Sequence, residues 1–431
     1  MKRFTHLFLF TLSALISAGC QNSGGPPQEH TVAIDPVEDS ADVDTDLWTS
    51  SWMLAGEGDV SPTFGSMIVN IENVYTKVED GITYQCVQSS GIPNYLTEID
   101  EDIFSFLVER PNATDDFVVG EPNVAVGDKI SFGTDIGYIA FGPCEVGDDG
   151  AGYWPPGLQC PTDQEKDWCF PLDPEPATEA CMTSLNQVGV WINGVSIFNW
   201  QDGQSYNGNQ VWENEALQFE GYDLDICLGH SANGNYHNHS HPTCLQNELG
   251  DDGSAPSPIY GFAADGYPIY GPWEAAGVLA QSCWKTRDYD DPNSPTGCGV
   301  AGERSCLLVD QWDISKGTVP ADSNGPSTSE VVTSMSGNPI LAKSGVYFQD
   351  YYYDPACTEQ GHEYLDDHNG HFDVERGYHY HTTLIANENG HLTFAFPHYI
   401  GPTYAGQLSE NAIAQCGGGS RGPFNWLLPG R

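Results

Sequence analysis

Beyond about residue 47 the chain never sustains a long apolar helical stripe. It runs instead in short stretches of β-branched and aromatic residues, broken by glycine, proline, aspartate and asparagine. Such stretches cover 66–75, 82–88, 103–108, 129–132, 137–141 and 188–197, where apolar and polar residues alternate as on half-buried strands. The best short helical candidate is 274–281. With 48 Gly and 29 Pro spread along 431 residues, the expected fold is mainly β, an antiparallel sandwich or barrel-like module with long loops. Aromatic residues make up 12% of the chain, with 11 Trp and 21 Tyr. A disordered acidic chain is poor in such residues, so this composition predicts a packed core.

The first twenty residues bear on compartment. Lys2 and Arg3 precede an apolar stretch over 7–16, followed by Ser17, Ala18, Gly19 and Cys20. A bilayer span needs about 20 residues, so a run this short fits a signal h-region. Small residues directly before a cysteine resemble the bacterial lipoprotein signal, although Ser17 stands where leucine is usual. The expected organisation is a signal peptide over 1–19, lipid on Cys20, an acidic flexible tether over 20–46 and one β-rich module over 47–431. Gln21 after Cys20 points to the outer membrane, with secretion as the alternative. Cys-rich insertions are expected at about 144–183 and 284–360. Removing 1–19 takes two cations and no acids, so the charge goes from -46 (14 basic, 60 acidic residues) to 12 - 60 = -48. Such a surface repels phosphate backbones and anionic lipid, so membrane contact is expected only through the anchor, and nucleic acid is not expected as a partner. No small-molecule or protein partner is indicated by the sequence.

Thirteen cysteines, less Cys20, leave an even twelve without a C-x-x-C pair. In an exported chain this spacing reads as disulfides, and Cys227–Cys244 is the pairing expected around the histidine-rich stretch. Eleven of the 13 histidines lie after residue 200. Gly234-Asn-Tyr-His237-Asn-His239-Ser-His241 and Gly377-Tyr-His379-Tyr-His381 are two similar phrases. On a strand, i and i+2 share a face, so His237 with His239, and His379 with His381, can each present paired imidazoles. Two such phrases predict one mononuclear site holding a transition-metal ion, copper, zinc or iron, with His230 as an additional ligand. The bland alternative packs these rings in the core. His362, His368 and His371 sit in an acidic stretch that could bind a metal weakly but reads first as solvated surface, and Asp265-Gly266 reads as a hairpin turn. The phosphate-cradling Walker loop is absent from the sequence.

The phrase Gly377–His381 resembles the YHYH-domain proteins, found mainly in bacteria. Asp225-Ile-Cys-Leu-Gly-His230 with Gly234 and Tyr236–His239 is similar to an upstream copy, with Asn238 in place of the second Tyr. Tyr260 to Pro272 resembles the family's Asp-Gly-aromatic-Pro-Ile-Tyr-Gly-Pro signature. The resemblance implies one β-rich module with insertions and assigns little function. The expected function is metal binding in the cell envelope. A metalloenzyme using the same histidines and a structural or adhesive surface protein without metal are the alternatives.

Overall fold

The computed structural model describes residues 49–417, apart from 57–58, 62–66, 111–112, 140–150, 154, 156–158, 388–389 and 411. Cys20, the leader, the tether and Cys144 lie outside the described residues. The fold is mainly β, as expected, and it is organised by an eight-stranded sheet. Its strands are β1 (Gln187–Trp191), β2 (Ser196–Phe198), β3 (Gly229–Ala232), β4 (Asn235–Asn238), β5 (Ile259–Ala263), β6 (Pro268–Tyr270), β7 (Gly370–Asp373) and β8 (Gly377–His381). The order across the sheet is β3-β4-β2-β1-β5-β6-β8-β7. The sheet is open, with β3 and β7 as its edges, and smaller two- and three-stranded sheets surround it.

Two halves repeat around the central β1–β5 pair. Each half starts with a hairpin, β1–β2 or β5–β6, whose tight turn carries a glycine in the left-handed region: Gly194 at φ 83° and Gly266 at φ 98°. The chain then leaves the sheet and returns to lay β4 parallel to β2, or β8 parallel to β6. Parallel neighbours require a long crossover, which explains why each histidine phrase lies far along the chain from the strand it pairs with. Ile197 faces Asn238 in one half, and Ile269 faces Tyr380 in the other. The offset between halves is constant over the hairpins (262 - 190 = 72, 266 - 194 = 72 and 269 - 197 = 72), and Val190 pairs with Phe262 at the centre. Equivalent strands pairing antiparallel at equivalent residues is the pattern a local two-fold rotation produces. Gly189 and Gly261 flank that centre, where a Cβ would stand 2.7 Å from the Phe262 carbonyl oxygen or 2.5 Å from that of Val190.

Trp191, Val190, Phe262, Tyr236, Tyr260 and Tyr380 are buried in the main core. Tyr380 donates its hydroxyl to Asp265 Oδ2 at 2.6 Å, and Asp265 also accepts from Gly406 N at 2.8 Å. Asp265 therefore serves as a buried acceptor in the turn expected of Asp-Gly. Hydrogen bonds to a carboxylate are worth roughly 1.5–3 kcal/mol each. Residues 284–360 pack Tyr289 and Tyr347 against Trp212 and Phe219 in a separate cluster, and Arg304 pairs with Asp350 there at 2.8 and 2.9 Å.

Two local expectations are corrected. Residues 103–108, expected as strand, belong to the helix Glu101–Val108. The Asp100 carboxylate accepts Ile103 N–H at 2.7 Å, and Glu101 and Asp102 favour the helix N-terminus, so capping outweighs β-rich composition. Residues 274–281, expected as helix, form the strands Trp273–Ala275 and Val278–Leu279. Gly277 at φ 70° turns the chain between them, a conformation a helix interior excludes.

The expected Cys227–Cys244 bridge is present, alongside Cys86–Cys169, Cys181–Cys416, Cys283–Cys357 and Cys298–Cys306.

Candidate metal centres

The first centre is built on the β3–β4 hairpin. Asp225 organises its entry: Oδ1 accepts the N–H groups of Cys227 at 2.8 Å and Gly229 at 3.1 Å, and Oδ2 accepts the Tyr236 hydroxyl at 2.8 Å. Burial pushes the Asp225 carboxyl up to about 7, against the pull of those donors. Asn233 and Gly234, at φ 53° and 80°, make the two-residue turn, with both residues in the left-handed region. This register pairs His230 with His237, and His239 follows at the end of β4. All three rings are buried.

The ring nitrogens define the chemistry. His237 Nδ1 lies 2.9 Å from the Asn235 carbonyl oxygen, and His239 Nδ1 lies 2.6 Å from that of Asn199. A carbonyl only accepts, so each Nδ1 carries the hydrogen, and in the neutral ring Nε2 is left as a bare lone pair. Those two Nε2 atoms stand 3.0 Å apart. Glu220 Oε2 lies 3.1 Å from His239 Nε2 and 3.4 Å from His230 Nε2, and it is buried without a hydrogen-bond partner. Burial holds His230 down to about 4, and burial with its two neighbouring imidazoles holds His237 well below its ordinary value. For His239, burial opposes protonation but Glu220 outweighs it and raises the ring. A proton on His239 satisfies one of its two neighbours and leaves the other facing a lone pair. A cation among the three imidazole nitrogens satisfies all of them, with Glu220 close to two.

The second centre repeats this plan. Asp366 Oδ1 accepts His368 N at 2.9 Å and Gly370 N at 3.1 Å, and Oδ2 accepts the Tyr378 hydroxyl at 3.0 Å. The β7–β8 hairpin pairs His371 with His379. Three carbonyls orient the rings: Gly377 O on His379 Nδ1 at 2.9 Å, Gly271 O on His381 Nδ1 at 2.7 Å, and His362 O on His371 Nδ1 at 2.7 Å. All three Nε2 atoms therefore point inward, with His371 and His379 facing at 3.0 Å. Glu274 Oε2 lies 3.1 Å from His381 Nε2 and 3.3 Å from His371 Nε2. Its other oxygen accepts from Arg376 Nη2 at 2.6 Å. Burial would raise the Glu274 carboxyl, but His371, His381 and Arg376 hold it well below the usual range. Burial, helped by His381, pushes His379 down to about 2 and keeps it neutral.

The ligand atoms of Glu274, His371, His379 and His381 lie within 4.8 Å of one another, as do those of His230, His237 and His239, a group that does not take in Glu220. Tetrahedral zinc with bonds of about 2.0–2.1 Å spaces its ligands by about 3.3 Å. Separations of 3.0, 3.1 and 3.3 Å in the second centre fit that spacing, and in the first the His237 and His239 nitrogens do so at 3.0 Å. Carbonyls that fix the outer ring nitrogen are also what metal-binding imidazoles ordinarily carry.

A family model described as "YHYH protein" matches residues 167–389, just over half of the chain. The chain belongs to the YHYH family. No curated protein and no solved structure matches it.

The YHYH phrase itself is thus one of two copies within the domain. Asp225, Gly229, His230, Tyr236, His237 and His239 correspond to Asp366, Gly370, His371, Tyr378, His379 and His381. At either glycine a Cβ would crowd a tyrosine hydroxyl, Tyr236 at 2.4 Å or Tyr378 at 2.5 Å. Phe198 stacks on the His237 ring at 3.7 Å, and its counterpart Tyr270 lies against His379 at 4.9 Å. Asn238, in the place of Tyr380, donates to the Cys227 and Leu228 carbonyls and accepts from Trp191 Nε1 at 3.2 Å.

The expected meeting of the two phrases at one site is corrected: their imidazoles fall in two separate groups. His237 and His239 group with His230, and His379 and His381 group with His371, because each phrase pairs with its own neighbouring strand and four other strands lie between β4 and β8. His241 does join the two phrases, but as a structural residue. Its Nε2–H donates to Gln246 Oε1 at 2.8 Å, and its Nδ1 accepts from Thr382 Oγ1 at 3.0 Å. His371, expected on solvated surface, belongs to the second centre. Its signal was present in the sequence, since Asp366-x-x-x-Gly370-His371 repeats Asp225-x-x-x-Gly229-His230. Glu220 and Glu274 had no comparable signal. Glu220 follows the helix Ala216–Phe219, whereas Glu274 sits on the strand Trp273–Ala275, so the repeat does not relate them.

Proposed function

We propose that this YHYH protein is a metal-binding protein of the cell envelope, tethered by lipid on Cys20, whose two centres each hold one transition-metal ion. His230, His237 and His239 would hold one ion, with Glu220 beside it, and His371, His379, His381 and Glu274 the other. The observation that carries this reading is the pair of Nε2 atoms facing each other at 3.0 Å in both centres. Buried lone pairs at that separation, without a hydrogen between them, need a cation. Three imidazoles and a carboxylate are donors that suit zinc, copper or iron. With Glu274 included, the second donor set reaches four, which closes a tetrahedral zinc site and favours holding an ion over catalysis at it, whereas the first set is three converging imidazoles with Glu220 beside two of them. The enzyme reading needs a position left open for substrate. Metal analysis of untagged protein, stripped with chelator and reloaded, tests the proposal. Two ions per chain are expected, and one after His379→Ala. No bound metal in the reloaded protein would return the histidines to a packing role.

A further inference from the structure

We propose that His362 is the entry ligand of the second centre, taking a divalent transition cation from solvent and passing it to His371, His379, His381 and Glu274. This rests on the metal reading above and assigns how one of its sites is filled. His362 is the exposed imidazole of this cluster, with 54% of its side chain accessible, whereas the Glu274 side chain is 12% accessible and those of His379 and His381 are sealed. It stands at the group in two independent ways. Its Nδ1 is 3.5 Å from Glu274 Oε1, and its ring meets that of His371 edge-on with centroids 4.6 Å apart. Its backbone carbonyl is the acceptor that orients His371 Nδ1. The residue that faces solvent is therefore also the one that sets the direction of an inner ligand.

His362 lies outside the group of converging ligand atoms, so it is not a fourth permanent imidazole. Its place suits a transient one. A hydrated ion must shed water before four buried donors can close around it, and an imidazole at the mouth replaces that water one step at a time. The chain's net charge of -46 draws cations to the surface in general, and His362 gives them an exposed nitrogen donor beside this cluster. The first centre has no such residue among the described ones, since His230, His237, His239 and the neighbouring His241 are all buried. Loading is therefore expected in two phases, with the second centre filling first.

Because an entry ligand lowers the barrier equally in both directions, removing it should slow association and dissociation together and leave affinity unchanged. The test uses a full-length His237→Ala, His239→Ala parent, which retains the second centre, with cobalt(II) as the probe followed by its visible absorbance. His362→Ala in that background should reduce both rates on the order of tenfold, the low end of what guidance toward a site adds to an on-rate, with Kd essentially as in the parent. His362→Gln, which keeps bulk and the backbone carbonyl, should behave the same. Unchanged rates would overturn the proposal, as would weaker binding through faster dissociation, which marks a permanent ligand. Failure of the parent to bind cobalt would instead remove the metal reading itself.

Discussion

If the two centres bind independently, metal should raise thermal stability in two equal increments. A ligand at 100 times its Kd stabilises the folded state by about 2.7 kcal/mol per site. The folded region runs to roughly 370 residues, and at about 2.1 cal/mol/K per residue its unfolding entropy is about 0.8 kcal/mol/K. Each ion should therefore raise Tm by about 3–4 °C, and both together by about 7 °C. Calorimetry on chelator-stripped protein, with and without zinc at 100 times Kd, reads this directly. His237→Ala or His379→Ala should each keep one increment, and the double variant neither. The separation of the donors into two groups is the basis of that expectation. A full loss of the shift in either single variant would mean one shared ion and would refute the two-centre geometry. Absence of any shift in the unmodified chain would refute metal binding under those conditions.

Three further outcomes follow from particular contacts. Replacing Cys227 and Cys244 by serine opens a loop of sequence separation 17 and should cost about 3 kcal/mol, read as a lower urea midpoint; an unchanged midpoint would show that the bridge does not constrain the unfolded chain. Tyr378→Phe removes the hydroxyl bound to Asp366 and should cost roughly 1.5–3 kcal/mol. It should also weaken the second centre about 10–100-fold while leaving the first unchanged, as isothermal titration of each centre would reveal, and equal weakening of both would contradict the assignment. Intact-mass measurement of native protein should find acyl chains on Cys20 and residues 1–19 removed, and a free N-terminus elsewhere would exclude the anchor.

The mainly β fold was legible in the alternating runs and in the density of turn residues, because strand periodicity and turn chemistry are local properties. Cys227–Cys244 was legible too, since it brackets a short histidine-rich loop. The candidate ligands His237, His239, His379 and His381 could be named from spacing alone, because i and i+2 on a strand share a face whatever the strand packs against, whereas His230 was offered only for its nearness along the chain. Local composition misled at 103–108, where one aspartate cap decided helix over strand. Tertiary structure decided how the phrases combine. Each returns through a long crossover to pair in parallel with its own hairpin, so backbone hydrogen bonding places four strands between His237 and His379 and divides the imidazoles into two sets. It also supplied Glu220 and Glu274, which reach equivalent positions from unrelated segments. The carbonyls of Asn199 and Gly271 belong to the same class. A carbonyl is present at every residue, so only folding determines which one fixes a ring and bares the nitrogen opposite.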